Sequence, residues 1–174
     1  MAVRGLVLIN TGDGKGKTTA ALGMALRAAG HGMKVCIIQF IKGNSRTGEA
    51  VALTAAFPDC IELHITGTGF TWTQQQEAVE AAALAGWRLA EEKIMSGAFD
   101  MVILEEITYP IGYGIIPEAA LLDLLEKRPP RLHVVITGRN ASPGLIAHAD
   151  LVTEMREIKH PYRSGIMGQK GIEF

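Results

Sequence analysis

The sequence predicts an α/β fold in which a mostly parallel, doubly wound sheet of about six strands is flanked by helices. Short apolar runs alternate with segments of helical periodicity, as in the crossover units that join parallel strands. The runs are continuously apolar, which suits strands covered on both faces. A glycine-rich turn joins the first run to the first helical segment. With 174 residues, 48% of them apolar, we expect residues 1–174 to form one domain around one core.

Six apolar runs are predicted as strands, at residues 5–10, 34–40, 61–65, 101–104, 132–137 and 151–155. The longest helix is predicted over residues 74–96, where one face carries Val79, Ala83, Trp87, Ala90 and Ile94. Trp87 is therefore expected in the core. Pro117 is predicted as the first residue of a later helix, which ends before the prolines at 129 and 130.

The glycine-rich turn is T-G-D-G-K-G-K-T-T, at residues 11–19. Glycines let backbone N–H groups turn around phosphate oxygens, and the following helix N-terminus favours an anion. Lys17 adds a positive charge, and the hydroxyl of Thr18 is a ligand for Mg²⁺. A turn without a ligand would crowd two lysines among three glycines with no anion to neutralise them. We interpret the turn as a Walker A loop.

The nucleotide-binding residues predicted from this loop are Thr11, Gly12, Asp13, Gly14, Lys15, Gly16, Lys17, Thr18 and Thr19. Thr11 stands where the consensus has glycine. Gly12 and Gly14 are expected to supply the tight turn instead.

Two carboxylates, Glu105 and Glu106, follow the apolar run at 101–104. Open α/β sheets bind ligands at the carboxyl ends of their strands. The pattern is typical of a Walker B strand, whose carboxylate holds Mg²⁺ directly or through water. A solvated acidic turn is the alternative. Together with the Walker A loop, the pattern predicts a P-loop NTPase architecture of the RecA-like kind.

A second glycine-rich loop, at residues 66–73, contains Phe70 and Trp72. The two aromatics either staple the loop to the following helix or form an apolar platform for a planar ligand. Residue chemistry alone leaves both interpretations open.

Two cations follow predicted strands at the same sheet edge. Lys42 comes after the second strand, close to Gln39, and Arg139 comes after the fifth. Both are candidates for phosphate or ligand carboxamide contacts, although isolated surface cations are commonly solvated without a partner.

Composition argues against several other functions. A net charge of −1 disfavours nucleic acid or an anionic membrane as a partner. No apolar run approaches the roughly 20 residues that span a bilayer, and the first strand begins too early for a signal peptide. We therefore expect a cytoplasmic protein. Cys36 and Cys60 are expected to be inert thiols, and the five histidines lack zinc-ligand spacing.

The nucleotide reaction is narrowed by missing motifs. The sequence has no N-K-x-D, no L-S-G-G-Q and no arginine-rich lid, which disfavours GTPases, ABC ATPases and nucleotide kinases. The residues by themselves indicate an enzyme that uses ATP and Mg²⁺ and has a planar or apolar second ligand, but they do not identify its reaction.

The chain resembles the corrinoid adenosyltransferases of the BtuR/CobO/CobA type, in segments that occur in the same order along the chain: residues 11–21, 39–43, 66–72, 106–109, 137–139 and 159–162. The resemblance implies transfer of the 5′-deoxyadenosyl group of ATP to the Co(I) of cobalamin or cob(I)yrinic acid a,c-diamide, in adenosylcobalamin biosynthesis or salvage. Triphosphate would be the leaving group, with ATP lying in reversed orientation in the loop.

The resemblance also implies roles for individual residues. Lys17 and the loop amides would bind triphosphate, and Thr18 and Glu106 would hold Mg²⁺. Phe70 and Trp72 would press on the lower corrin face and exclude the axial base, which eases reduction of Co(II) to Co(I). The implied catalytic residues are Lys17, Phe70, Trp72 and Glu106. Arg139 joins the nucleotide site, and the implied corrinoid site contains Gln39, Lys42, Gly69, Phe70 and Trp72.

The implied partners are a reduced flavin or flavoprotein as electron donor and a second copy of the chain in a homodimer. The sequence departs from the family at Glu105, where aspartate is common. It also begins almost directly at its first predicted strand, whereas related enzymes often carry an N-terminal extension over the corrinoid. The preferred corrinoid therefore stays open.

Two other classes of function remain open. A RecA-like ATPase or small-molecule kinase would use the same Walker residues and yield ADP. A non-catalytic carrier would bind a corrinoid and a nucleotide without joining them.

Overall fold

The computed structural model describes residues 4–43, 47–69 and 76–173. Its strands are β1 (Val7–Thr11), β2 (Val35–Gln39), β3 (Ile61–Ile65), β4 (Met101–Glu105), β5 (His133–Thr137) and β6 (Leu151–Glu154). They form one six-stranded sheet in the order β3-β2-β4-β5-β1-β6, and every adjacent pair runs parallel. The predicted fold class is confirmed.

The helices are α1 (Lys17–Gly30), α2 (Gly48–Ala56), α3 (Gln76–Met95), α4 (Thr108–Gly112), α5 (Glu118–Lys127) and α6 (Pro143–His148), and a 3-10 helix covers Pro161–Ser164. The described part of the predicted 74–96 helix is α3, and residues 74 and 75 lie outside the described ranges. None of the described helices has the length and apolar character needed to cross a membrane.

The start predicted for the helix after residue 116 is wrong by one residue. Pro117 is the N-cap of α5, with an extended ψ of 130°, and Glu118 is the first helical residue. The proline ring restricts φ but leaves ψ free, so it suits the cap as well as the first helical position.

Alternate residues of the strands pack into two apolar layers, one on each face of the sheet. One layer joins Ile38, Val102 and Ile136 to side chains of α3 and α5. The other joins strand residues of opposite orientation to α1 and α2. Trp87 is 9% exposed in the first layer, which confirms it as a core residue. Burial raises the pKa of Cys36 in the same layer to about 12, as expected for an inert thiol.

Several predicted strand ends are shifted, and two of the shifts affect the sheet edge where ligands bind. β1 ends at Thr11 instead of Asn10, and β4 ends at Glu105 instead of Leu104. Glu105 stays in the ladder because it pairs in register with Gln39 of β2. The carboxylate predicted to follow β4 is therefore its last residue and is buried.

Candidate active site

The turn after β1 has the backbone of a phosphate-binding loop. Gly12 and Gly16 have φ values of 95° and 116°, which lie in the region that favours glycine. Gly14 has a different constraint, because a Cβ there would lie 2.7 Å from the carbonyl carbon of Arg156. Helix α1 begins at Lys17, directly after Gly16. In this loop, where Thr11 replaces the first glycine of the motif, Gly12 therefore adopts the positive φ. Gly14 allows the close approach of the backbone of Arg156.

Thr11 itself belongs to the strand. It is 7% exposed, and its hydroxyl accepts a hydrogen bond of 3.1 Å from the Ala141 N–H. Glycine is not needed at this position because the backbone stays extended until Gly12. The predicted contact between Thr11 and nucleotide stays a prediction.

The ammonium group of Lys17 lies across the loop. Its Nζ donates to the carbonyl oxygens of Gly12 at 2.6 Å and Gly14 at 2.7 Å. Burial, and then the positive charge of Arg139, lower the pKa of Lys17. An anion bound in the loop would relieve this electrostatic cost by supplying an opposite charge.

Below the loop, Thr18 contacts the end of β4. Its Oγ1 donates to Oε1 of Glu105 at 2.6 Å, between residues 87 positions apart. Glu105 is 0% exposed, and its Oε2 has no hydrogen-bond partner among the described residues. Burial raises the pKa of Glu105, whereas the charge of Lys42 and the Thr18 hydrogen bond lower it. The sequence pattern did not predict that Thr18 would bind this glutamate.

Lys42 completes a chain of alternating charges. Its Nζ lies 3.6 Å from Oε1 of Glu105 and 3.4 Å from Oε1 of Glu49. Lys42, which was predicted in the corrinoid site and was also a candidate for phosphate contacts, lines the same cleft as the phosphate loop. Glu49 was not predicted as a site residue, because its place beside Lys42 depends on how α2 packs.

Glu106 has a strained backbone and an unusual pKa. Its φ is 63°, a conformation that costs a side-chain-bearing residue of order 1–3 kcal/mol. Its N–H donates to Oγ1 of Thr137 at 2.9 Å, which anchors this turn to β5. Burial, and then the charge of Glu105, raise the pKa of Glu106 to about 7. This carboxyl group therefore changes charge near neutral pH.

Most of these residues line one cleft of about 950 Å³, which is large enough for a nucleotide. Its lining includes residues 13–19, Lys42, Glu49, Glu106, Tyr109, Arg139, His160 and residues 171–173. Most of the predicted nucleotide-binding residues, Arg139 included, thus come together. Tyr109, His160 and residues 171–173 were not assigned to the site, because their approach to the loop depends on tertiary packing.

The predicted corrinoid residues are described only in part. Phe70 and Trp72 lie outside the described residues. Gln39 is 1% exposed, and its carbonyl oxygen accepts hydrogen bonds from the N–H groups of Thr66 and Gly67. Gly69 has a φ of 98° and borders a small, largely apolar cavity of about 10 Å³ between β2, α3 and α4. Lys42 lines the nucleotide cleft and Gly69 the small cavity, and the corrinoid role of these residues stays a prediction.

The described side chains alone do not supply a full set of ligands for a metal ion. Within residues 4–43, 47–69 and 76–173, no group of three or more His, Cys, Asp or Glu side chains is arranged to hold a metal ion. Thr18, Glu105 at the end of β4 and Glu106 directly after it are nevertheless oxygen donors of the kind that suits Mg²⁺, which commonly takes its remaining ligands from substrate phosphates and water.

Comparison with known proteins gives concordant results. The sequence matches the family described as ATP:corrinoid adenosyltransferase BtuR/CobO/CobP over residues 3–174. A corrinoid adenosyltransferase of Pseudomonas aeruginosa is 44% identical, with 98% of this chain and 84% of the relative covered. One from Sinorhizobium is 46% identical, with 98% and 81% covered. One from Escherichia coli K12 is 41% identical, with 98% and 86% covered.

A solved RadB recombinase has a similar fold. Its TM-score is 0.54 at 16% sequence identity, with 91% of this chain and 77% of that chain covered. At this identity the similarity concerns the fold alone, and it confirms the predicted RecA-like architecture.

Proposed function

Because the chain belongs to the BtuR/CobO/CobP family of ATP:corrinoid adenosyltransferases, we propose that it joins the 5′ carbon of ATP to the Co(I) of a corrinoid and releases triphosphate. The two electrons of Co(I) form the cobalt–carbon bond. The bond between C5′ and the triphosphate oxygen breaks, and its electron pair leaves with the triphosphate. The observation that carries the proposal is the nucleotide-sized cleft that combines the phosphate loop with Lys17, Glu106 and Arg139.

The proposed task of the phosphate loop is to hold a leaving group. Lys17 and the loop N–H groups would bind the triphosphate and stabilise the charge that develops on its oxygen. Arg139 lines the same cleft and supplies a further positive charge. Because cobalt is the nucleophile, no protein base needs to activate it. The contribution of the protein is then to position the two substrates and to stabilise the departing charge.

Mg²⁺ fits the oxygen donors of this site. We propose that Thr18 and Glu106 hold the ion, with the buried Glu105 orienting the hydroxyl of Thr18 through their hydrogen bond. When bound, the ion neutralises part of the triphosphate charge. Glu106 must be ionised to act as a ligand, so its raised pKa predicts weaker Mg²⁺ binding below pH 7.

The corrinoid is proposed to lie against the loop that contains Phe70 and Trp72. Their assignment follows from family membership and from the order of the shared motifs. The side chains that border the cavity beside Gly69, Val79 and Pro110 among them, are mostly apolar, but at about 10 Å³ the cavity itself is too small for a ligand. Gln39 and Lys42 are proposed to contribute from the end of β2, although Gln39 is buried and Lys42 contacts two carboxylates.

The remaining partners are proposals of the same kind. A reduced flavin or flavoprotein in the cytoplasm would supply the electron for Co(II). A homodimer is supported by large apolar side chains on the C-terminal segment, residues 155–173. Ile158, Tyr162 and Met167 in this segment are 84%, 66% and 71% exposed. Light scattering of the purified protein measures whether it forms this dimer.

The decisive test is an anaerobic reaction of the purified protein with chemically reduced cob(I)alamin, Mg²⁺ and ATP. Chemical reduction removes the need for an electron donor. We expect a light-sensitive adenosylcorrinoid and an equal amount of triphosphate, and Lys17→Ala should slow both together. Formation of ADP would instead support an ATPase or kinase. Binding of both ligands without a cobalt–carbon bond would support a carrier.

A further inference from the structure

The C-terminal segment crosses the phosphate loop directly after β6. The N–H of Met155 donates to the carbonyl oxygen of Thr11 at 2.8 Å, and the N–H of Gly14 donates to the carbonyl oxygen of Met155 at 2.6 Å. A Cβ at Gly12 would lie 2.5 Å from that same Met155 oxygen. Loop and segment are therefore in backbone contact, which brings the later residues of the segment to the cleft.

The end of the segment turns back over the cleft. The N–H groups of Ile172 and Glu173 donate to the carbonyl oxygen of Gln169 at 3.1 and 2.8 Å. Gly171, with a φ of 81°, provides the turn. Residues 171–173 line the cleft together with residues of α1 and α2. The carboxylate of Glu173 forms an ion pair with the ammonium group of Lys15 in the loop.

This ion pair engages the ammonium group of Lys15, which a phosphate chain in the loop would also bind. Lys15 lines the same cleft as Lys17 and Arg139. The side chains of Lys15 and Glu173 are 42% and 27% exposed, so the pair is open to solvent and can exchange partners. A triphosphate entering the cleft would meet the negative charge of Glu173 and a lysine that is already neutralised.

We propose that Glu173 is an internal competitor of the phosphate chain: it holds Lys15 as long as no nucleotide is bound and is displaced when nucleotide binds. The competition weakens binding of the ATP substrate. It weakens binding of the triphosphate product in the same way, which favours release of that product. This inference rests on the proposed nucleotide site and adds a residue that sets the affinity of that site.

The test is Glu173→Gln in the full chain, with binding of Mg²⁺–ATP and of Mg²⁺–triphosphate measured by calorimetry without corrinoid. Exposed ion pairs contribute about 0.2–1 kcal/mol, so we expect both ligands to bind roughly 1.4- to five-fold more tightly. The matched control is Glu126→Gln, which makes the same charge change at an exposed position of α5 and should leave both affinities unchanged. Circular dichroism checks that the two variants are folded.

A double-mutant cycle with Lys15→Met separates competition from general repulsion. If Glu173 acts by holding Lys15, the gain from Glu173→Gln becomes smaller in the Lys15→Met background. An equal gain in both backgrounds overturns the role of the ion pair. Unchanged or weaker binding by Glu173→Gln in the wild-type background overturns the competition itself. If the unmodified protein binds neither ligand, the nucleotide site and the inference both fail, which distinguishes that result from the others.

Discussion

The hydrogen bond between Thr18 and Glu105 is expected to stabilise the ligand-free protein. Thr18→Val removes the hydroxyl and keeps a β-branched side chain of similar shape. The carboxylate of Glu105 then stays fully buried without this donor. The ammonium group of Lys42 lies 3.6 Å from Oε1 of Glu105. Its other oxygen already lacks a partner among the described residues.

The magnitude follows from the charge and burial of the acceptor. A hydrogen bond to a charged group contributes about 1.5–3 kcal/mol, and the bond here measures 2.6 Å. We expect Thr18→Val to lower the free energy of unfolding by about that amount. For a chain of this size, the loss corresponds to a decrease in Tm of about 3–12 °C. The effect should become smaller at pH 5, because burial raises the pKa of Glu105 and the protonated carboxyl group depends less on a donor.

Urea unfolding of the ligand-free protein at pH 8 and pH 5 measures both effects. Thr19→Val is the matched control, since it makes the same substitution at the next residue of α1, where the side chain is exposed. The reasoning is refuted if Thr18→Val destabilises the protein no more than Thr19→Val, or if its effect is larger at pH 5 than at pH 8.

Three further predictions concern other parts of the site. Glu106→Gln should make the free energy of unfolding less dependent on pH: the pKa of Glu106 is raised to about 7, so the folded state holds a proton that the unfolded state has lost, and stability falls as pH rises from about 4.5 to 7. Gly67→Ala should destabilise the protein by about 1–3 kcal/mol, because its Cβ would lie 2.3 Å from the carbonyl carbon of Ile41; thermal unfolding measures this loss. Replacing both Phe70 and Trp72 with alanine should greatly slow adenosylation that starts from Co(II) and leave Mg²⁺–ATP binding largely intact.

Each of these predictions has a control or a contrary result. Glu126→Gln, at an exposed site, should leave the pH dependence unchanged, and an equal change there would contradict the role of Glu106. Gly23→Ala has open space around its Cβ and lies within α1, so it should stabilise the protein by about 0.5–1 kcal/mol. Equal losses of ATP affinity and adenosylation in the double aromatic variant would contradict a corrinoid role for Phe70 and Trp72.

The sequence predicted the sheet well because the relevant signals are local. Continuous apolar runs such as Val102–Leu104 reveal buried strands, and the glycines of the loop appear where the backbone turns. Errors were confined to element ends, such as Pro117 and Glu105, where capping and strand register decide the boundary. Family membership also followed from the order of short motifs. The roles of Phe70 and Trp72 stay predictions, since both lie outside the described residues.

The chemistry of the cleft depends on contacts between distant residues. Two adjacent glutamates are equivalent in the sequence pattern, but pairing with β2 buries Glu105 beneath Thr18. The next residue, Glu106, has a positive φ and lines the cleft. Its pKa is raised to about 7. The pairing of Lys15 with Glu173 spans 158 residues and has no local signal.

The sequence by itself therefore determined the fold class, the phosphate loop and the family, because these depend on periodicity, glycine positions and motif order along the chain. Only the tertiary structure decided that Glu105 accepts the hydrogen bond of Thr18 and that Glu173 pairs with Lys15. It also decided that Lys42 lies close to both Glu49 and Glu105. The physical reason is that these contacts depend on strand register and packing, which bring together side chains whose local sequences contain no information about each other.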